Sequence, residues 1–191
     1  MQLIRFGKAA LGAAVVGVAL GAVAQPASEP MGAAKSAGAD AAAALSSADR
    51  AFVEKAAMGG MVEVELGNLA QQKAASDGVR QFGTRMVQDH TKANDELKQI
   101  AASKNLQVPG ALDKQHQKDV DRFSKMTGSQ FDKAYMSHMV EDHKHVAAEF
   151  KKEASSGKDA DVKGFASKTL PTIEEHLNLA QSTYDGVKKA K

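Results

Sequence analysis

The residues in this sequence with the clearest potential for chemistry are histidines within apolar helical patterns. Residues 86–90 read Met-Val-Gln-Asp-His, and residues 139–143 repeat them as Met-Val-Glu-Asp-His. An ionisable side chain on an apolar stripe must be ion-paired, hydrogen-bonded or bound to a ligand. The repeat therefore predicts two helices that each carry an Asp-His pair into the protein interior.

Two further helical patterns each carry one ionisable residue on the apolar stripe. These are Glu63 and His176, and both lie near the middle of their segments, as His90 and His143 do. In an up-down bundle, four central positions converge on one buried layer. Neutral imidazoles and a carboxylate suit iron, copper or zinc. The sequence thus predicts a single transition-metal site formed by Glu63, His90, His143 and His176.

The aspartates next to two of these histidines have two possible roles. Asp89 and Asp142 lie at the edges of the stripes, where they could orient imidazoles on neighbouring helices or bind the metal directly. A different interpretation needs no metal. Glu63 could accept hydrogen bonds from the imidazoles, and the resulting buried network would fix the helix register.

Three functional hypotheses follow from this layer. The first is an exported protein that binds one metal ion. The second is a non-enzymatic envelope or stress-related protein whose buried Glu-His network is structural. The third is catalysis at the site, which needs an open coordination position and a path from solvent, and the sequence shows neither. The sequence leaves enzymatic activity open and favours a non-enzymatic protein.

The elements that position these residues are helices. Helix breakers cluster near residues 76–78, 108–110 and 155–157, and β-branched runs are absent. The predicted long helices are 47–75, 78–104, 128–155 and 159–188, and a shorter amphipathic segment covers 112–126. This pattern predicts an all-α, antiparallel four-helix bundle with a short extra helix between the second and third long helices. Pro171 predicts either a kink in the last helix or the start of a separate one.

The N-terminal residues predict export. Arg5 and Lys8 precede an apolar run that ends in Ala-Val-Ala before Gln25, which is typical of a cleavable signal peptide. We therefore expect a signal peptide over residues 1–24, a disordered Ala/Gly/Ser/Pro-rich linker over 25–46 and one domain over 47–191. The expected location is the periplasm, with peripheral outer-membrane association as a further possibility.

The composition excludes several kinds of partner and site. Without residues 1–24 the chain has 23 basic and 23 acidic residues, so no basic face for nucleic acid is expected. The absence of cysteine excludes disulfides and thiolate ligands. We expect no integral membrane span after signal cleavage. An envelope protein or a second copy of the chain could be a partner.

Several motifs in order resemble a known family. They are Phe-Val-Glu-Lys-Ala-Ala-Met-Gly-Gly-Met-Val-Glu-Val-Glu-Leu-Gly at 52–67, the segment 86–90, the segment from Phe131 to His143, and Leu-Pro-Thr at 170–172 followed by His176. They are similar to the bacterial exported family called domain of unknown function 4142, over about residues 47–182. The resemblance implies a ferritin-like helical bundle in an exported or outer-membrane protein and no established activity.

The sequence departs from the pattern of ferritin-like di-iron sites. Such sites take a Glu-x-x-His pair from each of two helices. The residues three positions before His90, His143 and His176 are Val87, Val140 and Ile173. A di-iron oxidase is therefore disfavoured, and a one-metal centre or a metal-free network fits better.

Overall fold

Helices dominate the structure. The computed structural model describes residues 45–189, and this range contains five α-helices and no strand. The helices are α1 Ser47–Lys73, α2 Asp77–Ser103, α3 Lys114–Ser124, α4 Gly128–Ser156 and α5 Ala160–Lys189. The all-α prediction is confirmed, with the short helix in its predicted place. The predicted signal peptide and all but the last two residues of the predicted linker lie outside the described residues.

Side-chain caps define where two helices begin. Ser46 Oγ accepts a hydrogen bond from the backbone N–H of Asp49 at 3.1 Å, at the start of α1. Asp113 accepts from two backbone N–H groups at the start of α3, at 2.8 and 2.9 Å. These bonds satisfy amides that have no partner within the helix. Because Ser46 caps α1 and Leu45 is buried, the end of the predicted linker is part of the folded domain.

The four long helices pack as two hairpins. α1 lies along α2 and α4 lies along α5, and each pair is joined by only three residues, so its members run antiparallel. The hairpins meet where α1 contacts α4 and α2 contacts α5. α2 and α4 therefore lie diagonally across the core. The short α3 packs against α1 and α4.

A polar layer separates two apolar clusters in the core. One cluster contains Leu66, Met86 and Tyr135, and the other contains Phe52, Leu97, Phe150 and Ile173, among others. On every long helix the predicted site residue falls at the boundary between the two clusters. The expectation that these residues lie at one height is thus met.

Two glycines allow α1 and α2 to approach closely. A Cβ atom at Gly67 would lie 2.7 Å from the carbonyl oxygen of Gly83, and a Cβ at Gly83 would lie 2.6 Å from the Cβ of Ala70. Both distances are far below a van der Waals contact. The backbones touch here, one turn from Glu63.

A pair of buried aspartates shows that the two hairpins have the same arrangement. Asp49 on α1 accepts hydrogen bonds from the backbone N–H groups of residues 158 and 159, both at 3.0 Å. Asp132 on α4 accepts from those of residues 75 and 76, at 3.1 and 2.9 Å. Each aspartate binds the turn of the other hairpin. The acceptor and both donors of one set lie 83 positions from the acceptor and the donors of the other set. The hairpin α1–α2 therefore corresponds to the hairpin α4–α5.

This structural repeat differs from the repeat visible in the sequence. Residues 86–90 and 139–143 are 53 positions apart, and they lie on α2 and α4, which do not correspond to each other. The 83-residue spacing instead pairs buried side chains of the same type: Val79 with Val162 and Phe82 with Phe165. The pentapeptide still places an Asp-His pair on two helices.

The last helix is continuous. α5 runs from Ala160 to Lys189 with Pro171 inside it, so Pro171 does not begin a separate helix. Because proline has no N–H, the carbonyl of Ser167 lacks its usual donor. This interruption lies about one turn before His176.

The described helices also bear on membrane insertion. α1, α2, α4 and α5 are long enough to cross a bilayer, but each carries many charged residues. Within residues 45–189, every helix falls short of the combined length and apolar character that a membrane span demands.

Candidate metal centre

Three histidines from three helices meet in the polar layer. His90 of α2, His143 of α4 and His176 of α5 each place a ring nitrogen within 4.8 Å of the other two. Their ring centroids are 5.4 to 6.0 Å apart. His143 and His176 are each 1% exposed, and Nε2 of His90 is also buried. The diagonal arrangement of α2 and α4 is what brings His90 to His143.

The backbone of α4 orients the His143 ring. Its Nδ1 lies 2.9 Å from the carbonyl oxygen of Met139. Because a carbonyl oxygen only accepts, Nδ1 carries the proton and Nε2 keeps a lone pair. Nε2 is buried, and no group within residues 45–189 forms a hydrogen bond to it. A metal-binding histidine has this arrangement.

A neighbouring helix orients the His176 ring. Its Nε2 lies 2.8 Å from Oδ2 of Asp89, which Arg85 also contacts from one turn earlier on α2. Burial alone would raise the pKa of Asp89, but the hydrogen bonds from Arg85 and His176 lower it, so Asp89 is an ionised acceptor. Nε2 therefore donates, and Nδ1 keeps the lone pair. In the described chain Nδ1 has no hydrogen-bond partner.

Burial keeps the three imidazoles neutral at physiological pH. It is the main cause that lowers the pKa of His90 to about 3, and the nearby His143 and His176 lower it further. Burial likewise lowers the pKa of His143 to about 4, against the opposing charge of Asp142, and it lowers the pKa of His176. Neutral imidazole is the form that binds a metal ion.

Glu63 lies beside the histidines, where it pairs with a second carboxyl group. Glu63, Asp142 and His143 form another group whose ligand atoms are within 4.8 Å of one another, and His143 is shared by both groups. Burial, followed by the charge and hydrogen bond of Asp142, raises the pKa of Glu63 well above its usual range. Oε2 of Glu63 is thus a buried oxygen next to the imidazoles without a hydrogen-bond partner among residues 45–189.

The spacing of the imidazoles fits a transition metal after a small closure. Zn–N bonds of 2.0–2.1 Å place the nitrogens of a tetrahedral site about 3.3 Å apart. The three nitrogens lie within 4.8 Å of one another. Side-chain shifts of about 1 Å would therefore bring them into ligand range. Three imidazoles without a thiolate suit zinc, copper or iron.

All six residues singled out from the sequence lie in or beside the layer: Glu63, Asp89, His90, Asp142, His143 and His176. Sequence reasoning missed Arg85 and Tyr135. The i, i+4 spacing of Arg85 and Asp89 was an available signal for an ion pair. Burial and the charge of Glu63 raise the pKa of Tyr135, whose hydroxyl is buried. Its proximity to Glu63 has no counterpart in the sequence pattern.

Comparison with solved structures supports the all-α fold. The crystal structure of a DUF305 fragment from Deinococcus radiodurans is similar with a TM-score of 0.64 and 10% sequence identity. The similarity covers 74% of this chain and 98% of the fragment. At that identity it concerns the fold alone. No curated protein matches the chain.

Comparison with family models covers most of the chain. The model of the domain of unknown function DUF4142 matches residues 34–183. That range includes every residue of the histidine and carboxyl groups. The resemblance seen in the residues is confirmed, and the chain belongs to the DUF4142 family.

Proposed function

We propose that this protein is an exported, ferritin-like four-helix-bundle protein that binds a single transition-metal ion. The ligands are Nε2 of His90, Nε2 of His143 and Nδ1 of His176. Iron, copper and zinc are the candidate ions, because imidazole ligands suit all three.

One observation carries this proposal. Each of the three adjacent imidazoles has a buried ring nitrogen that no group in residues 45–189 satisfies. Leaving a buried polar atom unpaired costs about 1–3 kcal/mol. A metal-free network that merely fixed helix register would pair these atoms with one another or with Glu63. A shared cation satisfies all three at once.

Glu63 and Asp142 accompany the ion in this proposal. Glu63 shares a group with His143 but not with all three histidines. It was the fourth ligand of the sequence hypothesis; here Asp142 hydrogen-bonds its carboxyl group, and the carboxyl group does not belong to the group of three imidazole nitrogens. Glu63→Gln should therefore leave the metal affinity within a few-fold of wild type.

Metal content is the direct test. The protein is purified without a tag, analysed by elemental mass spectrometry, stripped with chelator and titrated with zinc, copper and iron. We expect one ion per chain in the wild type. We expect His143→Ala to weaken metal binding on the order of 100-fold or more, since it removes a ligand outright.

His145→Ala is the matched control, because His145 is exposed and lies two residues away on the same helix. Circular dichroism of both variants in chelator verifies folding. Equal affinities of His143→Ala and His145→Ala would refute the three-histidine site. A wild-type protein that refuses every ion would favour the structural network.

Export is tested separately. The proposal predicts a mature chain that begins at Gln25 and fractionates with the periplasm or, peripherally, with the outer membrane. N-terminal sequencing of the protein from fractionated cells measures this. An uncleaved N-terminus in the cytoplasmic fraction would contradict it.

A further inference from the structure

A cavity adjoins the candidate metal centre. It has a volume of about 80 Å³ and is lined at one end by His90, His143, Glu63 and Asp142. Among the described residues His176 is not part of its wall. An ion held by the three histidines would therefore present its free side to the cavity, with His176 behind it.

The remaining wall is mostly apolar. It includes Phe52, Ala56, Ala93, Leu97, Phe150 and Ile173. The volume is about half that of the engineered cavity of about 150 Å³ that accommodates benzene. A volume of this size suits a molecule of two or three heavy atoms between the polar end and these side chains.

The cavity continues to the protein surface between α1 and α4. A surface groove of about 760 Å³ shares five lining residues with it: Lys55, Gly59, Asp142, Val146 and Glu149. Lys55 and Glu149 are exposed and form an ion pair of 3.1 Å across this seam. A Cβ atom added at Gly59 would meet no atom within 4 Å. Gly59 thus lines both the groove and the cavity, and the space that its side chain would occupy is open.

We propose that the cavity is a binding site for a small exogenous ligand of the metal. The ligand has two or three heavy atoms, coordinates the ion through one of them and places its other end against the apolar wall. It enters along the α1–α4 seam past Gly59. This inference rests on the proposed function, since it requires the three-histidine ion.

Cobalt(II) and azide give a direct test. Cobalt(II) takes imidazole ligands, and its visible absorption reports its coordination number. Azide is a linear triatomic ligand of the size that the cavity admits. We expect azide to change the spectrum of the cobalt protein, and Gly59→Leu to slow azide association at least tenfold while cobalt affinity stays within about threefold of wild type.

Gly164→Leu is the matched control. Gly164 is also a helical glycine with no atom within 4 Å of an added Cβ, but it is exposed on α5, and neither the cavity nor the groove includes it. Gly164→Leu should bind azide at the wild-type rate. Gly59→Ala, a smaller change that favours the helix, should give an intermediate rate even if the leucine variant folds poorly.

The outcomes separate the two proposals. Failure of the wild type to bind cobalt would overturn the metal site and this inference with it. If cobalt binds but azide does not change its spectrum, the metal site stands and the ligand site is overturned, because no coordination position is open. Equal azide association rates for the wild type, Gly59→Ala and Gly59→Leu would show that azide does not enter past Gly59 and would overturn the proposed entry along the α1–α4 seam.

Discussion

Protonation of Glu153 should make the stability of this protein depend on pH. Glu153 lies in the last turn of α4 and is 7% exposed. Burial, a hydrogen bond with Asp49 and the negative charge of Asp49 raise the pKa of Glu153 to about 7. Burial alone would raise the pKa of Asp49, but hydrogen bonds from Lys158, Asp159 and Ser46 lower it. Glu153 therefore holds the proton of this pair.

The sign and size of the effect follow from linkage. The folded protein keeps a proton on Glu153 up to about pH 7, whereas the unfolded chain releases it near the ordinary value of 4.5. Unfolding thus releases a proton in this window, so stability falls as pH rises from about 4.5 through 7. At 1.36 kcal/mol per pKa unit the upper bound is about 3 kcal/mol, and partial solvation reduces it to about 2 kcal/mol.

Urea unfolding at pH 5 and pH 8 measures this effect. Chelator is present so that metal binding adds no pH dependence. Glu153→Gln keeps the shape and a hydrogen-bond donor toward Asp49 but cannot ionise. We expect the wild type to lose about 2 kcal/mol more than Glu153→Gln between the two pH values. The variant should be the more stable protein at pH 8.

The matched control is Glu174→Gln, an exposed glutamate on α5. It should follow the wild-type pH dependence. If Glu153→Gln loses as much free energy of unfolding between pH 5 and 8 as the wild type, Glu153 is ionised in the folded protein, and the account of this pair is wrong.

Three further predictions concern the metal, its supporting shell and the helix packing. Asp89→Asn should lower metal affinity about 10–100-fold, because the neutral amide no longer polarises and orients the His176 ring, and calorimetry that finds unchanged affinity would contradict this. Metal at about 100 times its dissociation constant should add about 2.7 kcal/mol to the free energy of unfolding and raise the melting temperature, and a melting temperature that ignores metal would exclude selective binding to the folded state. Gly83→Ala should destabilise the protein by about 1–3 kcal/mol, because the added methyl group clashes with Ala70. Gly59→Ala should stabilise it by about 0.5–1 kcal/mol, because the added methyl group meets no atom and alanine favours the helix. Urea titrations that give both variants the same sign of change would refute the packing argument.

The helices could be predicted from the sequence because their ends carry local signals. The breakers at residues 76–78 and 155–157 fall within three residues of the observed ends of α1, α2, α4 and α5. The short helix predicted over 112–126 occupies Lys114–Ser124, since Asp113 caps it. Pro171 allowed two predictions, a kink or the start of a separate helix. In the structure α5 is continuous, and it has buried residues on both sides of Pro171.

The residues of the candidate site could also be predicted from the sequence, because an ionisable residue in the middle of an apolar stripe is unusual. The hydrogen-bond partners of these residues could not be predicted. Periodicity assigns a residue to a face but gives neither its rotamer nor its neighbour, so the contacts of Glu63 with Asp142 and of Asp89 with His176 needed coordinates. The true internal repeat was hidden for a similar reason. It depends on Asp49 and Asp132, which bind backbone more than 50 residues away.

The correspondence between the two hairpins explains why a void adjoins the histidines. Each proposed site residue has a counterpart 83 positions away, and all four counterparts are small or apolar: Val146 for Glu63, Ile173 for His90, Gly60 for His143 and Ala93 for His176. All four counterparts line the cavity. The two hairpins thus supply eight inward positions at one height, of which four carry donor atoms and four leave room. Substitutions at Val146, Ala93 and Ile173 would change the ligand number or the cavity size, whereas any side chain at Gly60 would first have to displace the buried Asn94.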